Sequence, residues 1–150
     1  MNSIKKYAFI IFGGIGIVCI LWYGYIVWSG IRAPLSVERV SIGGVEYTLE
    51  MANTDAVRAK GLSGRDELCL RCGMLFVFEQ PGQYAFWMKD MRFPLDIVWL
   101  LGDTVVFVVP FVLPDATSVL NPDVVADRVI EVNASLLQDL HPGDRIRFLP

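Results

Sequence analysis

The chain has 150 residues, enough for one domain and too few for several. It is 54% hydrophobic with a net charge of −3, yet all 16 acidic residues fall at or after Glu38 against 10 basic ones, a balance of −6 there. That excess argues against non-specific nucleic-acid binding, which needs basic patches, and against adhesion to anionic lipid, so no nucleic-acid partner is expected.

Residues 1–6 form a short amino terminus carrying Lys5 and Lys6. From Tyr7 to Trp28 no residue is charged. A helix of that length would span roughly 33 Å, about the thickness of a bilayer core, so 7–28 is expected to be a single transmembrane helix with the lipid bilayer as its partner. A cleavable signal peptide would have a shorter apolar region and a small-residue cleavage site. Gly16-Ile17-Val18-Cys19 is a poor lipid-attachment signal, because Val18 stands where a small residue belongs. Lys5 and Lys6 before the span outweigh Arg32 behind it, which predicts a cytoplasmic amino terminus and an extracytoplasmic carboxyl-terminal domain. Tyr7 at one end and Trp22, Tyr23, Tyr25 and Trp28 toward the other suit an interfacial aromatic belt. Gly13, Gly14 and Gly16 leave room for a second copy, so a homodimer is among the expectations. Cys19, inside this segment, reads as a small apolar filler.

Residues 29–36 form a linker, and 37–150 the outer domain. Gly43-Gly44 between Val37–Ile42 and Val45–Met51 predicts a β-hairpin. Asn53 or Thr54 caps a short helix that runs to Lys60 and stops at Gly61. Met74–Phe78 and Tyr84–Met88 read as strands joined through Pro81-Gly82. Leu95–Leu101 and Thr104–Leu113 form a second hairpin about Gly102-Asp103, and Pro110, Pro114 and Pro122 make the following region irregular. Arg128–Val132 is another strand, Ala134–Leu140 a second short helix capped by Asn133, and Arg145–Leu149 a last strand after Pro142-Gly143-Asp144. The expected fold is α+β and mostly β: a small antiparallel partial β-barrel with two short helices, preceded by the transmembrane helix.

Several short motifs recur in one order: Arg58 with Gly61-Leu62, Gly73-Met74-Leu75-Phe76, Phe86-Trp87-Met88-Lys89, Pro94-Leu95-Asp96-Ile97, Glu131-Val132-Asn133-Ala134 and Gly143-Asp144. Together they resemble the DUF192 (UPF0127) family, small β-rich domains of largely undefined biochemical role. The resemblance runs from about Val37 to the end. Two departures stand out: members of the family usually carry Asn after the lysine, where this chain has Asp90, and many have an acidic or polar loop where it has Cys69 and Cys72.

Two groups of residues invite a chemical reading. In a strand Trp87 and Lys89 would share one face, with Phe86 and Met88 on the other. With Arg58 and Asp96 nearby they could line a cleft for a polar or carbohydrate-like ligand. The plainer reading makes Trp87 a core residue, lets Lys89 snorkel, and pairs Asp96 with Arg58 or a chain corner. For Cys69 and Cys72 three readings stay open: a disulfide favoured by an oxidising compartment, a redox-active pair, or half of a zinc site. The redox motif lacks its βαβ context, and zinc lacks two further ligands, His141 being the only histidine. His141 reads as a turn residue, Asn133-Ala134-Ser135 matches a glycosylation sequon, and no HExxH or phosphate-binding loop occurs. No cofactor, metal or catalytic residue is assigned. The expected function is therefore a membrane-anchored envelope module binding an unknown small molecule or envelope protein, more a binder than an enzyme. The alternatives are thiol–disulfide or metal handling through the cysteines, and a hydrolase using Lys89 and Asp96.

Overall fold

The computed structural model describes residues 35–114 and 116–150. Strand β1 (Val37–Ile42) turns into β2 (Val45–Ala52) through Gly43 and Gly44, whose φ angles of 58° and 84° need a residue without Cβ. Thr54 caps the short helix α1 (Asp55–Lys60), its hydroxyl accepting from the Val57 N–H, and Gly61 ends it. The remaining strands are β3 (Cys72–Gly82), β4 (Leu95–Leu101), β5 (Thr104–Val112), β6 (Ala126–Asn133) and β7 (Arg147–Leu149).

These seven strands make one sheet in the order β5-β4-β6-β3-β2-β1-β7. Only β2 and β3 run parallel, and a parallel pair needs a crossover, here supplied by α1 and the loop behind it. Arg65 in that loop holds Glu50 on β2 through two hydrogen bonds of 2.6 and 2.7 Å. At the β3–β6 contact the backbones approach so closely that a Cβ on Gly73 would lie 2.5 Å from the Glu131 carbonyl oxygen and 2.6 Å from a Leu49 methyl. The sheet curls until its two edges meet at one end. There Thr104 bridges to Arg145, the Val105 N–H donates to the Asp144 carbonyl at 2.8 Å, and the Ile146 N–H donates to that of Asp103 at 2.9 Å. The result is a half-barrel.

Both faces of the central strands are buried, which explains why β4 is buried from Leu95 to Leu100 and apolar at every position but Asp96. Tyr47, Leu49, Leu75, Val98, Ile130, Val132 and Ile146 belong to the core on the concave side. Met74, Phe76, Ile97, Trp99 and Val129 face the other way, beneath Leu62, Met88 and the half-buried Phe86. The Trp99 indole N–H donates to the Tyr84 carbonyl at 2.8 Å and ties the Tyr84–Met91 segment to this second face.

Three expectations are corrected. Ala134–Leu140 is a series of turns rather than a second helix, so α1 is the single helix among the described residues. Ser135 has a φ of 69°, which a right-handed helix cannot adopt, and the N–H groups of Ser135, Leu136 and Leu137 donate to the Asp96 carboxylate. Tyr84–Met88 is not a full strand; Phe86 alone pairs with Leu120. Among the described residues no helix is long and apolar enough to cross a membrane. Six-residue α1 rises only about 9 Å, and the expected span 7–28 lies outside the described residues. The transmembrane helix is thus no part of the observed architecture, which is a mostly-β half-barrel with one short helix.

Candidate functional site

A cavity of about 210 Å³ opens on the second face, between α1 and the Tyr84–Met91 segment. Three of the four residues expected to bind a ligand line it: Arg58, Trp87 and Lys89. Arg58 comes from α1, where its guanidinium donates to the Val77 carbonyl (2.7 Å) and to Asp55 (2.6 Å) and rests 5.3 Å from the centre of the Phe78 ring. Those contacts fix its position at the cavity wall and leave further N–H donors. Trp87 and Lys89 come from the opposite wall. Although that segment is not a regular strand, its side chains still alternate: Met88 is 2% exposed in the core, while Trp87 is 60% exposed. The turn that follows places Asp90 at a φ of 58°, and its carbonyl accepts from the Gly64 N–H at 2.8 Å. Asn and Asp are the non-glycine residues that tolerate this conformation best, so the exchange of Asn for Asp preserves the turn.

Asp96, the fourth expected residue, does not belong to the cavity. It is fully buried on β4, with one oxygen accepting from the N–H groups of Phe111 (2.8 Å) and Ser135 (3.1 Å). Its other oxygen accepts from those of Leu136 (2.9 Å) and Leu137 (2.8 Å). The carboxylate holds together two stretches of backbone, each containing a residue at positive φ, Phe111 and Ser135. Asp96 stands opposite Val132 in the ladder, so it points to the concave side, away from Lys89.

The acid at the cavity is Glu131, a residue that its sequence motif does not mark as functional. It pairs with Met74 on one side and Ile97 on the other, and shares their face of the sheet. Only 5% of it is exposed, yet it lines the cavity, and its carboxyl makes no hydrogen bond or ion pair among the described residues. Burial alone pushes its pKa up to about 8, which favours the neutral acid at pH 7. The available signal was a lone carboxylate in the apolar run Val129-Ile130-Glu131-Val132. A buried acid kept neutral by its surroundings is a common mark of a functional site.

Cys69 and Cys72 form a disulfide with a Cα–Cα distance of 5.1 Å. It closes the loop in front of β3, and the Asn133 amide on β6 donates to the carbonyls of Leu68 (3.1 Å) and Cys69 (3.0 Å). Neither cysteine lines the cavity. Among the described residues no group of three His, Cys, Asp or Glu side chains is placed to hold a metal ion.

No curated protein shows significant similarity to the chain. Two solved structures do. One is a protein of Sinorhizobium meliloti 1021 described as a candidate transcription regulator: 26% identity, TM-score 0.72, covering 78% of this chain and 97% of that one. The second is a protein of unknown function from Novosphingobium aromaticivorans DSM 12444, with 27% identity, TM-score 0.66, and coverage of 78% and 94%. The sequence pattern of DUF192, a family described as "Uncharacterized ACR", matches residues 38–148, which takes in β2 to β6, most of β1 and β7, and both walls of the cavity. The chain belongs to the DUF192 family.

Proposed function

We propose that this DUF192 domain is a binding module whose ligand enters the cavity between α1 and the Tyr84–Met91 segment. One observation carries the reading: side chains from α1, from the Trp87–Lys89 turn and from the middle of β6 meet around a single hollow. Larger hollows of about 490 and 440 Å³ lie near Gly43 and Arg145, but their acids, Asp103, Asp139 and Asp144, are exposed or half-buried, and none is as deeply buried as Glu131. The enzymatic alternatives have less support. A hydrolase built on Lys89 and Asp96 would need the two on one side of the sheet, and Asp96 is committed to four backbone N–H groups on the other. Thiol–disulfide exchange favours a cysteine at a helix start, whereas Cys72 opens a strand.

The disulfide also supports a place outside the cytoplasm, since such bonds persist in oxidising compartments. Thiol labelling in intact cells, before and after a reductant, checks this; free thiols before reduction would overturn it. The description of the Sinorhizobium protein does not lead us to DNA. With 16 acidic residues against 10 basic ones from residue 35 onward, the charge balance of this domain argues against the counterion-releasing surface that DNA binding draws on.

A thermal-shift panel of small acids, sugars and amines tests the binding reading on the full chain. A compound that raises Tm for the parent, but not for Trp87→Ala or Lys89→Ala, supports it when both variants keep the parental Tm without ligand. A large loss of Tm in both variants without ligand would assign these residues to the fold instead.

A further inference from the structure

We propose that the ligand of this cavity is a small organic acid with a flat, apolar body, its acid group held by Lys89 and Arg58 and hydrogen-bonded by the Glu131 carboxyl as donor. This rests on the binding reading above and names the ligand's chemistry.

The first argument is charge. Arg58, Lys60 and Lys89 all line the cavity, and Glu131 is the one acid among its lining residues. Neither Lys60 nor Lys89 makes an ion pair among the described residues. In a domain whose overall balance is −6, a cluster of cations around one hollow reverses the local field and draws anions toward it. An amine seeking an ionised Glu131 would have to pass these three cations. An acid meets attraction first.

The second argument is shape. Phe76 meets Phe86 edge to face at 4.8 Å, and Phe78 stacks on Tyr84 at 3.5 Å with their planes 10° apart. These rings, with the exposed Trp87, offer faces and edges to a flat apolar group. The volume of about 210 Å³ is below the range of drug-sized ligand sites, which restricts the body to one ring or its equivalent.

The third is the proton. A carboxylate at the floor would repel an acid, whereas a neutral carboxyl donates a short, charge-assisted hydrogen bond to it. Glu131 is kept neutral by burial between Met74 and Ile97, with a pKa of about 8. The titratable groups that share its cavity are Arg58 and Lys60 from α1, and Lys89 and Tyr84 from the facing segment. β3 and β4 place apolar neighbours beside it. Binding should therefore weaken as pH rises through about 8 and Glu131 gives up its proton.

Calorimetric or NMR titration of the full chain with benzoate, benzamide and benzylamine tests the proposal. At pH 6.5 benzoate is expected to bind about tenfold or more tightly than the other two, and to weaken about tenfold or more by pH 9.5. Glu131→Gln keeps an N–H donor but cannot ionise, so its benzoate affinity should change less than about threefold between the two pH values. Lys89→Gln should weaken benzoate at both pH values without abolishing the pH dependence. Benzamide or benzylamine binding as tightly as benzoate would overturn the acid inference and leave the binding module standing. If benzoate fails to bind, the inference fails. The broader thermal-shift panel then decides the parent reading: a neutral or cationic hit preserves it, and no hit removes both.

Discussion

Asp96 and Glu131 carry opposite assignments in sequence and in structure, and the two-residue period of a strand explains why. Asp96 follows Pro94-Leu95 and looks like a polar residue at a corner, whereas Glu131 sits in an apolar run and looks like strand filler. Register decides the matter: Asp96 stands opposite Val132, and Glu131 opposite Ile97, so the two acids face opposite sides of one sheet. No local pattern contains that register. Asp96→Ala should destabilise the domain by at least about 3 kcal/mol in urea unfolding, because four backbone N–H groups lose a charged acceptor. A loss below about 1 kcal/mol would mean that those bonds contribute little. Glu131 should act in the reverse sense. Its folded pKa of about 8 lies above the ordinary 4.5, so between these values the unfolded chain has released the proton and the folded chain still holds it. Folding takes up a proton in that window, and stability should fall as pH rises across it, by several kcal/mol at about 1.4 kcal/mol per unit. Glu131→Gln should flatten this part of the pH profile of Tm, and an unchanged slope would place the titration elsewhere.

At the scale of elements, turns and caps were legible because their signals are local. Gly43-Gly44 fixes the first hairpin, and Thr54 with Gly61 brackets α1, all within a few residues. The Ala134–Leu140 segment was illegible for the opposite reason. Its helical composition is overridden by Asp96, some 40 residues earlier, which gathers three consecutive N–H groups. The parallel β2–β3 pair was also hidden, since a crossover of about 20 residues leaves the strand direction to tertiary packing. The disulfide ties the end of that crossover to the first residue of β3. Its loop is short, so replacing Cys69 and Cys72 by Ser should cost only about 2 kcal/mol in the loop-entropy account. Because Asn133 still pins the loop through two carbonyls and neither sulfur lines the cavity, ligand affinity should be unchanged in the double variant. Titration of that variant with whichever compound binds the parent checks this. A lost affinity would couple the cysteines to the site and revive a redox role.

For the molecule as a whole, what matters is how a seven-stranded sheet avoids leaving β5 and β7 as open edges. Unpaired edge strands are templates for aggregation, and β7 has only three residues paired to β1. The closure between Thr104 and Arg145 is short, and two forces are available to hold it. One is the ion pair of Arg145 with Asp103, at 3.6 Å and well exposed, a type that contributes about 1 kcal/mol at most. The other is Ile146, which is 1% exposed and packs into the concave core with Val40, Leu100 and Val105. Removing most of a buried isoleucine costs about 2–5 kcal/mol, so the apolar contact should govern. Ile146→Ala is expected to lose that amount in denaturant unfolding, while Arg145→Ala loses less than about 1 kcal/mol. Hydrogen exchange supplies the geometric half of the test. The amides of Val105, Gly143 and Ile146, which make the closing bonds, should exchange faster in Ile146→Ala than those of Ile130 and Val98 in the centre of the sheet. If all five slow to the same extent in the parent and quicken together in the variant, closure is one with global folding. If Arg145→Ala alone releases the closing amides, the edge is held by charge, and the half-barrel should then open as salt is raised.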